Sequence, residues 1–413
     1  MAKVLYLSYD GMTDPLGRSQ IIPYLIELSK FGHEFHLISF EKKSNHNEFH
    51  SLSALLMAHH IKWLPLIYHK YPPVISTIYD LWVMYRNTLK VISENKIDFI
   101  HSRSYPPSLV ALTIKKKKKI PFIFDMRGFW ADERVEGNLW PMTNPLFRLI
   151  YRFFKRKEKE LLLHSDAVVS LTENAKQWMI NEWSHTEVNV PVYVIPCCCD
   201  TNLFIKQTPE MKKASKYALQ IPQDDFVLGY VGSIGTWYLL DEMMQFFKCL
   251  QELKPDSWFL FITNHEHEFI RRKADEYQIS NLKIVSATRN EVAELLNALD
   301  ASVYFIKPSF SKKASSPVKQ AELMAVGIPA VTNSGIGDTD LFFTDESAGI
   351  LIHDFDRSQF MNAVEILLSG KFDPTAIRQI SLKHFTLQHG AKLYAEIYNG
   401  LVNRINDDTS RHV

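Results

Sequence analysis

The segment SSPVKQAELMAVGIPAVTN, Ser315 to Asn333, sets two hydroxyls, a proline, a lysine and a carboxylate in and just ahead of an apolar run that stops at Gly327. Serines before a proline are residue types that open a helix, with Ser315 and Ser316 as caps and Pro317 in the first turn. Such an end carries free amides and positive dipole, so a phosphate there would meet amides, hydroxyls and the Lys319 ammonium. Glu322 follows three residues later, on the same helix face. A carboxylate in that place suits the two hydroxyls of a ribose. The pair reads either as a nucleotide-diphosphate site or as a surface ion pair on a capped helix, worth ~0.2–0.5 kcal/mol.

Other stretches carry related chemistry. In GYVGSIGTWYLLDE, Gly232 and Gly235 bracket Ser233 after an apolar run. That is a phosphate cradle of backbone and hydroxyl, or a glycine turn set by geometry alone. SYDGMTDPLGRSQ is expected to be a long loop, holding Asp14 and Gly17, at which a ligand can approach. It lacks the G-x-G-x-x-G spacing of a dinucleotide site. FDMRGFWADER brings Asp125, Arg127 and Asp132 to a strand end, with Trp130 either shielding them or packed in the core. Asp338–Asp340 and Asp354–Asp356 match the spacing of a metal-holding carboxylate pair, though over three residues only, while His265–Glu268 lacks H-E-x-x-H spacing and reads as a solvated helix start. Lys115–Lys119 ends a helix, where cations suit the dipole. It could also touch anionic lipid at ~1 kcal/mol per lysine.

The elements that must position these groups alternate. KVLYLSYDG, FHLISF, DFIHSRS, IPFIFDMRG and DAVVSLT read as strands separated by helical stripes, one of them Pro145–His164. The pattern restarts with FVLGYVGSIG, WFLFITN, LKIVSA, DASVYFIKPS and GILIHD. Such units imply an α/β fold of parallel sheets. The 413 residues suit two doubly wound domains. The expected division is an N-terminal domain over 1–200 and a C-terminal domain over 206–386, with helices from about 387 to 413 crossing back onto the first. Ligands of such sheets bind beyond the carboxyl ends of the strands.

The net charge of +1 gives no pull toward nucleic acid. Four cysteines, three of them adjacent at Cys197–Cys199, suit neither a disulfide framework nor a zinc site. A reduced, cytoplasmic setting is expected. The N-terminus lacks signal-peptide patterning, and no run reaches the ~18 apolar residues of a membrane span.

Four stretches carry a resemblance: GHEFHLISF, DAVVSLTENAK, VIPCCCDTNLF and SPVKQAELMAVGIPAVTN, in that order. The chain resembles retaining family-four glycosyltransferases of the GT-B class, two facing Rossmann-like domains with a cleft between them. The resemblance implies a nucleotide-diphosphate sugar donor on the C-terminal domain and a glycan or lipid-linked acceptor on the N-terminal one. Polysaccharide or glycolipid assembly at the inner membrane face, with peripheral contact to anionic lipid, would follow. It implies that Glu322 binds the ribose, that Lys319, Ser315 and Ser316 face the diphosphate, and that Gly232, Ser233 and Gly235 approach the leaving phosphate. No cofactor or metal is implied.

Three positions depart from the family. Ala314 stands where the first of two glutamates is usual, Arg127 where a histidine often ends a strand, and no basic pair follows Gly235. The phosphate role shifts to Lys319, with Lys307 and Arg289 as further cations. Arg127, Lys319 and Glu322 are the expected catalytic residues, with Asp14, Gly17, Asp125 and Trp130 toward the acceptor. A nucleotide-sugar epimerase on the same fold, or a non-catalytic nucleotide-sugar-binding subunit, are the alternatives.

Overall fold

The apolar runs of the N-terminal half form β1 (Lys3–Leu7), β2 (Glu34–Glu41), β3 (Ile61–Ile67), β4 (Phe99–Arg103), β5 (Phe122–Asp125), β6 (Ala167–Ser170) and β7 (Val192–Val194). They pair in the order β3-β2-β1-β4-β5-β6-β7, in parallel throughout. The C-terminal half supplies β8 (Val227–Val231), β9 (Trp258–Ile262), β10 (Leu282–Val285), β11 (Ala301–Tyr304), β12 (Ala330–Asn333) and β13 (Gly349–Ile352). These pair in the order β10-β9-β8-β11-β12-β13, again in parallel. Parallel strands are covered on both faces, which is why they read as continuous apolar runs. This computed structural model describes residues 1–183, 190–344 and 348–411.

The chain divides into two units, Met1–Pro196 with Leu387–Val413, and Cys197–Thr386. His412 and Val413, the last residues of the expected C-terminal helices, lie outside the described residues. The cysteine triplet packs with the second unit. The Cys199 N–H donates to Phe385 O at 2.9 Å, and its Sγ lies 3.4 Å from Ala321 O. In each sheet the strand order reverses beside the unit's first strand, between β1 and β4 and between β8 and β11. The loops leaving those neighbours diverge and open a crevice at the carboxyl edge.

Two stretches differ from the sequence reading. The expected long loop after β1 is short, because Pro15–Gln20 is already helical, with proline in its first turn. Gly17 is therefore buried inside a helix rather than poised at a ligand. The residues between β2 and β4, unassigned from sequence, hold β3 and a helix over Ile75–Glu94. β3 contains Pro65, which a sheet tolerates at the edge position that β3 occupies.

A Cβ on Gly17 would lie 2.1 Å from Gly11 O and 2.6 Å from Met12 Cα, both backbone atoms that cannot step aside. Gly17→Ala is expected to cost on the order of 1–3 kcal/mol, read as a lower unfolding midpoint. Gly400→Ala is its control. Gly400 lies within the helix Leu387–Arg411 with open space around it, so alanine there should be neutral or stabilising by up to ~1 kcal/mol. Equal midpoints for the two variants would contradict this account.

Candidate functional site

The second crevice is built from the turn after β8 and the helix Val318–Val326. That helix is buried from Lys319 to Val326. It ends at Gly327, whose φ of +87° and whose N–H to Leu323 O at 3.0 Å close it with a left-handed residue. A Cβ at Gly327 would meet Pro374 O at 2.6 Å, so only glycine fits. Gly327-x-Pro329 then leads directly into β12.

The start of the helix differs from expectation. Pro317 is the cap position, not the first turn, and no side chain caps the helix. Ser316 Oγ instead accepts the Cys197 N–H at 3.0 Å. The Ser315 N–H donates to Lys312 O at 3.1 Å, closing the preceding 3-10 turn. The serines therefore shape the approach to the helix and leave its first amides unclaimed by side chains.

The three polar residues of the first helical turns all point into protein. Gln320 Oε1 accepts from Tyr304 Oη at 3.1 Å and Thr339 Oγ1 at 3.0 Å. Glu322 Oε1 accepts from Arg289 Nη1 at 2.8 Å. Lys319 Nζ is buried with no hydrogen-bond partner. It lies 4.0 Å from the Tyr230 ring centroid and 3.8 Å from that of Tyr238. The surface ion pair that sequence left open is thereby excluded, since both residues are under 9% exposed and Glu322 is held by Arg289.

The turn after β8 is fitted to that ammonium. Gly232 has φ +113°, and a Cβ on it would sit 3.2 Å from Lys319 Nζ. Ser233 is exposed, and its carbonyl accepts Tyr230 Oη at 2.7 Å, fixing one ring under the lysine. Gly235 has open space around it, so nothing steric demands glycine there. Lys307 is exposed and borders the turn through its main chain, its N–H donating to Trp237 O at 2.8 Å. Arg289 opens its helix under a Thr288–Glu291 capping box, which fixes its approach to Glu322.

Sequence reasoning missed Lys312. It is buried, with Nζ 3.7 Å from the Trp237 ring centroid, and so supplies a second cation beside a turn that lacks a basic pair of its own. Ala314, at the usual acidic position, is buried two residues further on. Burial pushes the Lys319 ammonium well below the usual lysine range, opposed in part by the Glu322 charge. Burial likewise raises the Glu322 carboxyl, against the pull of Arg289.

The first crevice holds a different set. Asp125 ends β5, and Arg103 ends β4. Asp125 Oδ2 accepts Tyr394 Oη at 3.1 Å and lies 3.4 Å from His101 Nε2 and 3.8 Å from Arg103 Nη1. Its Oδ1 is buried without a hydrogen bond, 4.0 Å from Arg127 Nη1. Burial raises this carboxyl, but the Arg127 charge, the His101 hydrogen bond and Arg103 outweigh it and hold it below its ordinary value. Burial lowers His101 despite Asp125, favouring neutral imidazole. A neutral ring facing a carboxylate puts its proton on Nε2, so Nδ1 accepts from Tyr398 Oη at 2.7 Å.

Arg127 adopts φ +58°, a left-handed conformation that costs a non-glycine residue on the order of 1 kcal/mol and is common where a site dictates direction. Trp130 is placed elsewhere than expected. Its ring neighbours are Tyr105, Trp140 and Phe154, and the charges around Asp125 are enclosed by Tyr6, Tyr394 and Tyr398 instead. Asp14 pairs with Lys42 at 2.8 Å. Among the described residues no cluster of three or more His, Cys, Asp or Glu is arranged for a metal. Asp356 caps a helix, Asp340 accepts the Gly335 N–H, and His267 Nε2 faces Thr263 O.

The buried lysine makes a signed prediction. Its folded pKa lies below the unfolded value near 10.5, so between the two the unfolded chain binds the extra proton and stability rises with pH. Below the folded pKa the penalty is fully present. Lys319→Met should therefore stabilise the ligand-free protein by ~1–3 kcal/mol, most at the low end of that window, and flatten the slope. Urea unfolding at several pH values reads this. A methionine variant no more stable than wild type would contradict it.

Residues 24–203 match the family model Glycosyltransferase Family 4, and residues 211–383 match Glycosyl transferases group 1. A D-inositol 3-phosphate glycosyltransferase of Stackebrandtia nassauensis is 22% identical over 322 residues, spanning 74% of this chain and 69% of its own. Among solved structures, sucrose-phosphate synthase from Thermosynechococcus elongatus superposes with a TM-score of 0.72 at 14% identity, over 98% of this chain and 100% of that one. Anabaena Alr3699/HepE in complex with UDP-glucose gives 0.66 at 14% identity, over 97% and 100%. With the two family models matched in sequence along the chain and the fold shared nearly end to end, the chain belongs to the family-four type of GT-B glycosyltransferases, enzymes of nucleotide-sugar glycosyl transfer.

Proposed function

We propose that the enzyme moves a sugar from a nucleotide-diphosphate donor to an acceptor hydroxyl with retention of anomeric configuration, in polysaccharide or glycolipid assembly, without a metal. The observation that carries this reading is the buried, unpartnered Lys319 ammonium against the Gly232 turn. Departure of the diphosphate gathers negative charge on its oxygens. A preorganised cation in a low-dielectric site stabilises that charge without reorganising at the moment of reaction. Lys319, with Lys312 nearby, supplies the positive charge that a metal would otherwise bring. The free amides at the start of Val318–Val326 add to it. Glu322, fixed by Arg289, takes the ribose hydroxyls through its remaining lone pairs.

The acceptor falls to the first unit. The unsatisfied Oδ1 of Asp125 accepts from an acceptor hydroxyl, and Arg127, fixed beside it, orients the group. The hydroxyl proton leaves on the departing phosphate, in keeping with a site where Asp125 is held ionised and hydrogen-bonded rather than poised as a base. The acceptor is a glycan or a lipid-linked glycan, and the enzyme meets an anionic membrane peripherally. Among the described residues no helix is long and apolar enough to cross a bilayer.

UDP-glucose, bound by the Anabaena relative, is the first donor to try. Lys319→Ala should lower kcat/KM by ~10²–10³-fold, the scale of losing one preorganised charge stabiliser. Glu322→Gln should chiefly weaken donor binding. Near-normal donor affinity and turnover in both variants would remove the assignment. Activity should also survive excess chelator, and its abolition with restoration by magnesium would overturn the metal-free mechanism.

A further inference from the structure

The helix Ile75–Glu94 is amphipathic in the inverted sense. Its buried stripe is Ser76, Asp80, Met84 and Thr88. Its outward stripe starts with Ile75, Ile78, Tyr79 and Trp82, each 50–65% exposed. The inversion is pinned by Asp80, which accepts from Tyr9 Oη at 2.9 Å and the His69 N–H at 3.2 Å, with His69 Nδ1 at 2.6 Å. Rolling the helix to hide its apolar row would strip a buried carboxylate of those partners, which costs more than the exposed row does.

A second ridge repeats the pattern. On the helix Pro145–His164, Leu146, Leu149 and Phe153 are exposed and interleaved with exposed Arg148, Arg152 and Arg156. Both helices pack against Tyr105–Lys118, which lies between them. Each connects successive parallel strands, so each starts at the carboxyl edge of the sheet and runs back. The apolar ends of both ridges therefore lie toward the edge that holds Asp125 and Arg127. The cations Arg86, Lys90 and Arg156 follow further along.

The lysine tract enters in a reduced form. Lys115 is taken by Asp166 at 2.6 Å, and Lys116 by Glu160. Lys117 instead lies beside the inverted helix, 3.1 Å from Tyr85 Oη. The acids of the two ridges that reach solvent are already matched, exposed Glu94 with Lys90 at 4.0 Å and half-buried Glu160 with Lys157 at 2.5 Å, so the unmatched charge is positive.

We propose that this two-ridged face docks on an anionic bilayer surface. Trp82, Tyr79, Ile78 and Phe153 enter the boundary between headgroups and acyl chains, and Arg86, Lys117 and Arg152 meet lipid phosphates. Large apolar side chains, tryptophan and tyrosine among them, framed by cations of one sign are the chemistry of an interfacial anchor. The docking brings the carboxyl edge of the first sheet to the lipid, where a lipid-linked acceptor would present its hydroxyl. This deepens the membrane part of the proposed function and rests on it for its purpose.

The test is flotation of the full chain with vesicles of phosphatidylcholine alone and of phosphatidylcholine mixed with phosphatidylglycerol. The expected result is preferential binding to the mixed vesicles, on the order of tenfold, that weakens as salt is added. The double variant Ile78→Ser, Trp82→Ser and the double variant Arg86→Glu, Arg152→Glu should each lose on the order of tenfold in binding. Both should keep wild-type unfolding midpoints and donor hydrolysis. No binding to either vesicle, or binding indifferent to both variants, overturns the proposal. So does self-association of the wild type that Trp82→Ser abolishes, which would give the face to a second copy. A failed transfer assay would leave the vesicle result standing, so the two readings fail separately.

Discussion

A lysine ammonium held in the interior without a hydrogen-bond partner is the constraint around which the second unit is arranged. Nothing in a folded protein favours that state by itself, because the charged form loses its hydration and gains only the faces of Tyr230 and Tyr238. The surroundings show how it is sustained. Gly232 gives up a side chain to leave room, Tyr230 is pinned by the Ser233 carbonyl, and Glu322 is turned toward Arg289. The remaining polar residue of that turn, Gln320, accepts from both Tyr304 and Thr339 through Oε1, which ties this face of the helix to its neighbours. Stability surrendered at one position in this way is more typical of a functional site than of a core.

The first unit meets a related problem with carboxylates. Asp125 stays ionised inside the protein because His101, Arg103, Arg127 and Tyr394 surround it. Tyr394 and Tyr398 come from the helix Leu387–Arg411, which returns to this unit after the whole second unit has been traversed. The carboxyl edge of the first sheet is thus completed by residues nearly three hundred positions away in sequence. Asp80 acts the same way further along that edge, bonded to Tyr9 and His69 just beyond β1 and β3: one buried carboxylate decides which face of a twenty-residue helix looks outward.

Most strands were legible because a parallel strand must be apolar on both faces and must end in a turn, and Val, Ile, Leu and Phe bounded by Gly or Asp say so directly. β3 was not, since Pro65 argues against a strand unless its edge position is known. The helix Ile75–Glu94 was not, since its pattern contradicts the rule that apolar residues face inward. At the site, Lys319 and Glu322 were visible through their spacing. Lys312 was invisible, since it looks like any lysine in a charged loop until Trp237 is placed against it. Serines before a proline suggested capping, yet Ser316 spends its oxygen on the Cys197 amide, a partner far away in sequence.

The sequence by itself determined the two α/β units, the glycine turns, the short helix ending at Gly327, and the presence of a lysine and a glutamate at its start. These follow from local rules of backbone conformation and periodic burial, which act over a few residues. Only the tertiary structure decided that Lys319 and Glu322 are buried rather than solvated, that Arg289 claims the glutamate, and that the lysine is left without a partner. Those outcomes depend on desolvation and on charges brought together from distant strands, and both are set by how the chain packs rather than by how its residues are spaced.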